Sequence, residues 1–228
     1  MLRLILAYKN FAANQNISHI GLGVAALNTC KVLRRSGIAA DVWPITSAKQ
    51  LRDRLEIDPA THVVISAPWI PSTEVYGLVA AHTSTQFAVN CHSNVGFLQA
   101  DTSGVKLVRE AMEIEAGTHN FHLSANSLRF CKWIRSAYTR PCAHLPNLYY
   151  LEQDMLPWRP LYSGGTLRVG AFGATRPLKN FMSAAGAALE ISRRYKANLE
   201  LWLSAGRTEG AATRSSDPPT PCWTAFRT

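Results

Sequence analysis

The stretch GAFGATRPLKN, residues 170–180, places two cations, Arg176 and Lys179, in a glycine-started turn between an apolar run and a helix-like segment. A helix N-terminus offers unpaired backbone N–H groups and the positive end of its dipole, so it attracts anions. Arginine can grip phosphate oxygens through two parallel hydrogen bonds, and lysine adds a compact charge. Gly170 and Gly173 let the backbone approach a ligand closely. A diphosphate is the natural guest of such a turn. The same residues also suit a solvated basic loop.

Two further stretches could carry chemistry. VNCHSNVG, residues 89–96, puts His92 at the end of an apolar run. A histidine there can hydrogen-bond a sugar hydroxyl or shuttle a proton, and it can equally be tied to neighbouring backbone. GLGVAA, residues 21–26, matches G-x-G-x-x-A. A dinucleotide fingerprint follows its strand directly. Here KNFAANQNIS intervenes, and Asp41 begins the second strand instead of an acid ending it. Gly21 and Gly23 are therefore read as a glycine-rich substrate loop at the first helix that lets a ligand approach. A nucleotide-binding Rossmann oxidoreductase stays as an alternative.

Other motifs point away from function. His119 with His122, and Cys142 with His144, have no second half at zinc-site spacing, so no metal is expected. There is no G-x-S-x-G and no Walker lysine motif. CKWIRSAYTR, residues 131–140, is basic and aromatic, as nucleic-acid binders are. Its Cys131, Ile134 and Tyr138 fall at helical spacing and suit a core, so no nucleic-acid partner is expected.

These residues need elements to position them. Apolar runs alternate with helix-like stretches: LRLILAY, then a helix through to Gly37 with Arg34 and Arg35 in its last turn, then IAADVWPI, then a helix capped by Ser47. THVVISAP, QFAVNCHS, NFHLSAN and CAHLPNLY supply further strands, with helices between them. The pattern predicts an α/β fold with a doubly wound, Rossmann-like parallel sheet over residues 1–150. Ligands of such folds bind beyond the C-terminal ends of the strands. Residues 151–166, with their prolines and glycines, read as a linker. Residues 167–210 read as one βαβ unit, the start of a second Rossmann-like domain. Residues 211–228, rich in Ser, Thr and Pro, read as an irregular tail.

The chain has 228 residues, 47% of them hydrophobic, and a formal net charge of +9. From Arg159 onward there are ten Lys or Arg against four Asp or Glu, so most of the excess lies late. A basic balance suits phosphorylated small molecules, and it is compatible with peripheral contact to an anionic membrane. No run of 18 apolar residues occurs, and the N-terminus lacks the long apolar stretch of a signal peptide. Five scattered cysteines argue against a disulfide framework and for a cytoplasmic location.

The order of parts resembles the two-domain GT-B glycosyltransferases, in particular the retaining family-4-like group. A doubly wound domain ends in HLPNLYY, and Pro146–Asn147 matches the turn at which that family crosses between domains. The resemblance implies that Gly173, Arg176 and Lys179 hold the donor diphosphate, that His92 lies beside the transferred sugar, and that Gly21 and Gly23 lie near donor and acceptor. It implies transfer of a sugar from a nucleotide-sugar to a glycan or other hydroxyl acceptor, with retention and without a metal or other cofactor. The family's second domain is longer and carries two acids eight positions apart. Glu209 and Asp217 have that spacing, but Asp217 falls in the aperiodic tail. The expectation is a truncated transferase with little or no activity, or a non-catalytic binding module of the same descent.

Overall fold

The computed structural model describes residues 2–10, 20–100, 102–151, 162–163, 165–171, 180–204 and 223–227. They fall into two compact units, the first ending at Leu151.

The first unit is built on six strands: β1 (Arg3–Lys9), β2 (Ala39–Ile45), β3 (His62–Ser66), β4 (Gln86–Cys91), β5 (Phe121–Ala125) and β6 (Ala143–His144). All pair in parallel, in the order β2-β1-β3-β4-β5-β6. Six helices connect or flank them: α1 (Ile20–Arg35), α2 (Ala48–Ile57), α3 (Ser72–Ala81), α4 (Val95–Ala100), α5 (Thr102–Gly117) and α6 (Leu128–Tyr138). This is a Rossmann-like α/β arrangement. The strand order reverses at β1, which makes the crevice between the ends of β1 and β3 its switch point.

Strand alternation gives the sheet two different faces. On one, Ile5, Val63, Phe87 and Phe121 line up in register, and so do Ala7, Ile65, Val89 and Leu123. All eight are buried, beneath Leu51 and Leu55 of α2, Val75 and Leu78 of α3, Val108 of α5 and Ile134 of α6. On the other face, Leu4, Leu6, Tyr8, Val42 and Val64 pack with Ala26 and Cys30 of α1. Near the strand ends this face turns polar: Tyr8, Ser66, Asn90 and Ser124 stand side by side across four strands.

Local signals set the helix ends. Ser47 caps α2 by accepting from the Gln50 N–H at 3.2 Å. After α1 the chain turns at Gly37, whose φ of +78° suits a residue without Cβ, and Ile38 N–H returns to Leu33 O at 3.0 Å. Arg34 at that helix end donates to the Ala40 carbonyl at 2.6 Å and pairs with Asp41. Asp41 and Asp58 together hold Arg3. Asp41 is thus committed to structure at the start of β2.

The second unit holds β7 (Tyr162–Ser163), β8 (Thr166–Ala171), α7 (Phe181–Tyr195), β9 (Asn198–Ser204) and β10 (Trp223–Arg227). Its sheet order is β10-β9-β8-β7, with β8 and β9 parallel and the two outer strands antiparallel to their neighbours. Ala188 of α7 packs on Leu199 and Leu201, and Arg168 pairs with Glu200 across the strands at 2.8 Å. Two expectations change here. Tyr162–Ser163, inside the expected linker, pairs with β8. Residues 223–227, inside the expected irregular tail, pair with β9. Both additions are edge pairings of short segments, which carry little periodicity of their own.

Candidate functional site

The C-terminal ends of β1, β3, β4 and β5 gather the polar groups of the first unit. β3 ends in SAPW. Ala67 there adopts φ +69°, a left-handed conformation that a residue with Cβ rarely takes, directly before Pro68. Its N–H is held by Asn90 O at 2.9 Å, and its carbonyl accepts from Trp69 N–H at 3.1 Å. Such strain, of order 1–3 kcal/mol, persists only where the surroundings impose it, and it clusters at functional sites. The turn presents Trp69 to β1, where the Lys9 ammonium lies 5.2 Å from the ring centroid. Burial lowers the Lys9 pKa from its ordinary value.

His92 follows β4. Burial pushes its pKa down to about 4, so the ring is neutral near pH 7. Its Nδ1 lies 3.4 Å from the Asn126 side-chain nitrogen. An amide donating to Nδ1 leaves the proton on Nε2, and Nε2 is buried without a hydrogen-bond partner among the described residues. His92 is therefore a neutral donor held in reserve, not a fixed positive charge. Asn126 itself is anchored by its backbone N–H to Cys91 O at 3.1 Å.

The polar row behind these loops is tied into the fold at Ser124 and Asn90. Ser124 Oγ donates to Val89 O at 3.0 Å, and Asn90 Nδ2 donates to Leu145 O at 3.2 Å. Ser66 is buried as a residue, but its hydroxyl oxygen is not a buried, unpartnered atom. Cys91, in the same neighbourhood, is no nucleophile: burial pushes its thiol up to about 12.

The expected site residues fare differently. His92 stands at the strand end that its position in the sequence implies. Gly21 and Gly23 do not form a loop; both lie in the first turns of α1. A Cβ on Gly23 would come within 2.9 Å of the Tyr8 ring, so this glycine lets α1 close on β1. A Cβ on Gly21 would meet none of the described residues within 4 Å. Gly173, Arg176 and Lys179 lie outside the described residues. Helix α7 begins at Phe181. Among the described residues no three metal-binding side chains come together, and no helix is long and apolar enough to cross a membrane.

Lys9, Ser66 and Asn90 are the residues that sequence reasoning passed over, while Ser124 falls at a strand end where a ligand is expected. A signal for the polar row exists. VVIS, FAVN and FHLS each end an apolar run with a small polar residue at the same step of the strand. Stacked in register, those three residues make the row. Lys9 has no such signal, since a lysine closing a strand is ordinary.

Compared with known proteins, the chain matches no family model and no curated protein.

Proposed function

We propose that this chain is of the GT-B glycosyltransferase type, its first unit forming the acceptor side and its second beginning the nucleotide-sugar side. The observation that carries this reading is His92: a neutral, half-buried imidazole at the C-terminal end of β4, beside the strained Ala67–Trp69 turn of β3. A neutral histidine suits hydrogen bonding to a sugar hydroxyl. Trp69 supplies a flat apolar surface of the kind sugar rings stack on. Arg176 and Lys179 would hold the diphosphate and offset the charge that grows on it as the bond to the sugar breaks. The acceptor oxygen would form its bond on the same face of the sugar, giving retention. The proton of the acceptor hydroxyl would leave towards the departing diphosphate.

Titration of the full chain with UDP- and GDP-linked hexoses, followed by calorimetry, tests this. Binding is expected to fall at least tenfold in the Arg176→Ala, Lys179→Ala double variant. His92→Ala is expected to weaken the sugar-linked nucleotide but not the free diphosphate nucleotide. Equal binding of both by wild type and variant would end the role given to His92. No binding of any nucleotide would end the reading.

A second reading, a non-catalytic module that binds a glycan through Trp69 and the loop around it, has its own support. Among the described residues, no carboxylate stands at the C-terminal ends of the strands in the first unit. Glycan binding without turnover of any nucleotide-sugar would favour it.

A further inference from the structure

Helix α6 and the start of β6 bring two thiols together. Cys131 and Cys142 are both buried, and their sulfurs lie 3.5 Å apart. The Cys142 S–H donates to the Cys131 sulfur, and the Cys131 S–H donates in turn to the Ala143 carbonyl at 3.4 Å. A buried cysteine often serves only as a small apolar residue. Here the backbone on both sides holds the pair in contact. Cys131 sits in the first turn of α6, its N–H on Ser127 O at 3.1 Å. The helix stops at Thr139, whose φ of +52° reverses the chain. The Arg135 side chain then reaches past that turn to the Cys142 carbonyl at 3.2 Å. The turn aims Cys142 back at the helix it has just left. A disulfide needs its sulfurs about 2 Å apart, a gap that side-chain rotation closes from this starting point.

The cover over the pair is thin. Cys142 lies between Pro141 and Ala143, which are both exposed. β6 holds to β5 through two register pairs, Ser124 with Ala143 and Ala125 with His144. An edge strand this short opens at far lower cost than the sheet behind it. While β6 is closed, burial and then the hydrogen bond with Cys131 raise the Cys142 thiol above its ordinary pKa. A protonated thiol is a poor nucleophile, so reaction follows opening, and so small an opening admits only a small reagent. The other described cysteines lack this arrangement. Cys91 stands in β4 with a strand on either side, and Cys30 lies on the opposite face of the sheet.

We propose that Cys131 and Cys142 form a modification site, a dithiol that a small oxidant of the peroxide class converts to a disulfide stapling α6 to the start of β6. One sulfur attacks the peroxide, the O–O bond breaks, and a sulfenic acid and one water result. The second sulfur then displaces the sulfenic oxygen as another water. One S–S bond forms, two electrons pass from sulfur to peroxide, and both thiol protons leave in the waters. The bond closes a loop between residues 11 apart. The inference is independent of sugar transfer, since it needs no nucleotide-sugar and no part of the second unit.

The test uses the full chain, reduced, freed of reductant and treated with hydrogen peroxide near stoichiometry. The intact mass is expected to fall by two hydrogens, with two of the five thiols lost and peptide mapping joining Cys131 to Cys142. Dithiothreitol should restore both thiols. Amide exchange at Leu145, whose N–H donates to Ala125 O at 2.9 Å, should slow at least about tenfold in the oxidised chain, because the staple hinders opening of β6. Cys142→Ala should abolish the link. Cys91→Ala should retain it, and this variant remains informative if Cys142→Ala does not fold. The inference is overturned if oxygen atoms are added without an internal link, or if Cys91 or a second chain captures Cys131. Unchanged Leu145 exchange in the linked protein would overturn it equally.

Discussion

The two faces of the first sheet are made by alternate residues of the same strands, yet they do opposite work. One carries two unbroken apolar rows, from Ile5 to Phe121 and from Ala7 to Leu123, sealed by α2, α3 and α5. The other begins apolar under α1 and ends in Tyr8, Ser66, Asn90 and Ser124 beside a cavity. A parallel strand can thus devote one set of side chains to cohesion and the other to recognition. The pleat separates the two sets, so change on one face need not disturb the other.

The largest expected effect tests the sealed face. Phe87→Ala removes a ring that is 1% exposed and should cost about 3–5 kcal/mol, read as a lowered denaturation midpoint. A loss under 1 kcal/mol would mean that this face is loosely packed and the contrast is false.

Next comes the pH response of the functional edge. His92 has a folded-state pKa of about 4, lowered by burial from 6.5. Above 6.5 both folded and unfolded chains hold it neutral, and it has no effect on the slope. As pH falls from 6.5 towards 4 the unfolded chain takes up the proton first, so stability drops, by about 3 kcal/mol in total. His92→Gln should flatten that window in denaturation curves measured at successive pH values. An identical slope in wild type and variant would show that His92 is solvated instead of buried.

The two glycines of α1 should respond with opposite signs. Gly23→Ala drives a Cβ to 2.9 Å from the Tyr8 ring. Its strain should outweigh the helix-propensity gain and leave a net loss of about 1 kcal/mol. Gly21→Ala meets open space and should stabilise by about 0.5 kcal/mol or more. Thermal melts of the pair compare them directly. Equal shifts would remove the packing reason for Gly23.

The smallest contrast lies within the polar row. Ser124→Ala loses a 3.0 Å hydrogen bond to Val89 O and should cost about 1 kcal/mol. Ser66→Ala loses no bond among the described residues and should stay within about 0.5 kcal/mol of wild type. A larger cost at Ser66 would mean that its hydroxyl is already satisfied.

Much of this architecture is legible along the chain, because the signals are local. Alternating apolar runs and helix-like stretches lead to a Rossmann-like sheet, Ser47 reads as a cap, and Gly37 reads as a stop. Each depends on contacts within a few residues. His92 is legible for the same reason, since the strand before it is a plain apolar run. The outer strands at 162–163 and 223–227 are not legible, since an edge segment takes its form from its partner.

What the sequence by itself determined is the kind and order of elements, and the residue types at their ends. Backbone preference and side-chain periodicity are properties of neighbouring residues, and they act before any long-range contact exists. The tertiary structure alone decided which residues meet. Leu148 reaches Thr29 across 119 positions, and Asn90 reaches Leu145 across 55. Those two bonds brace the cavity, and no local pattern encodes either. Gly23 likewise shows its purpose only against Tyr8, and Ser66 joins the polar row only once the strands stand in register. Burial, which makes His92 neutral, exists only when distant segments close over the same place.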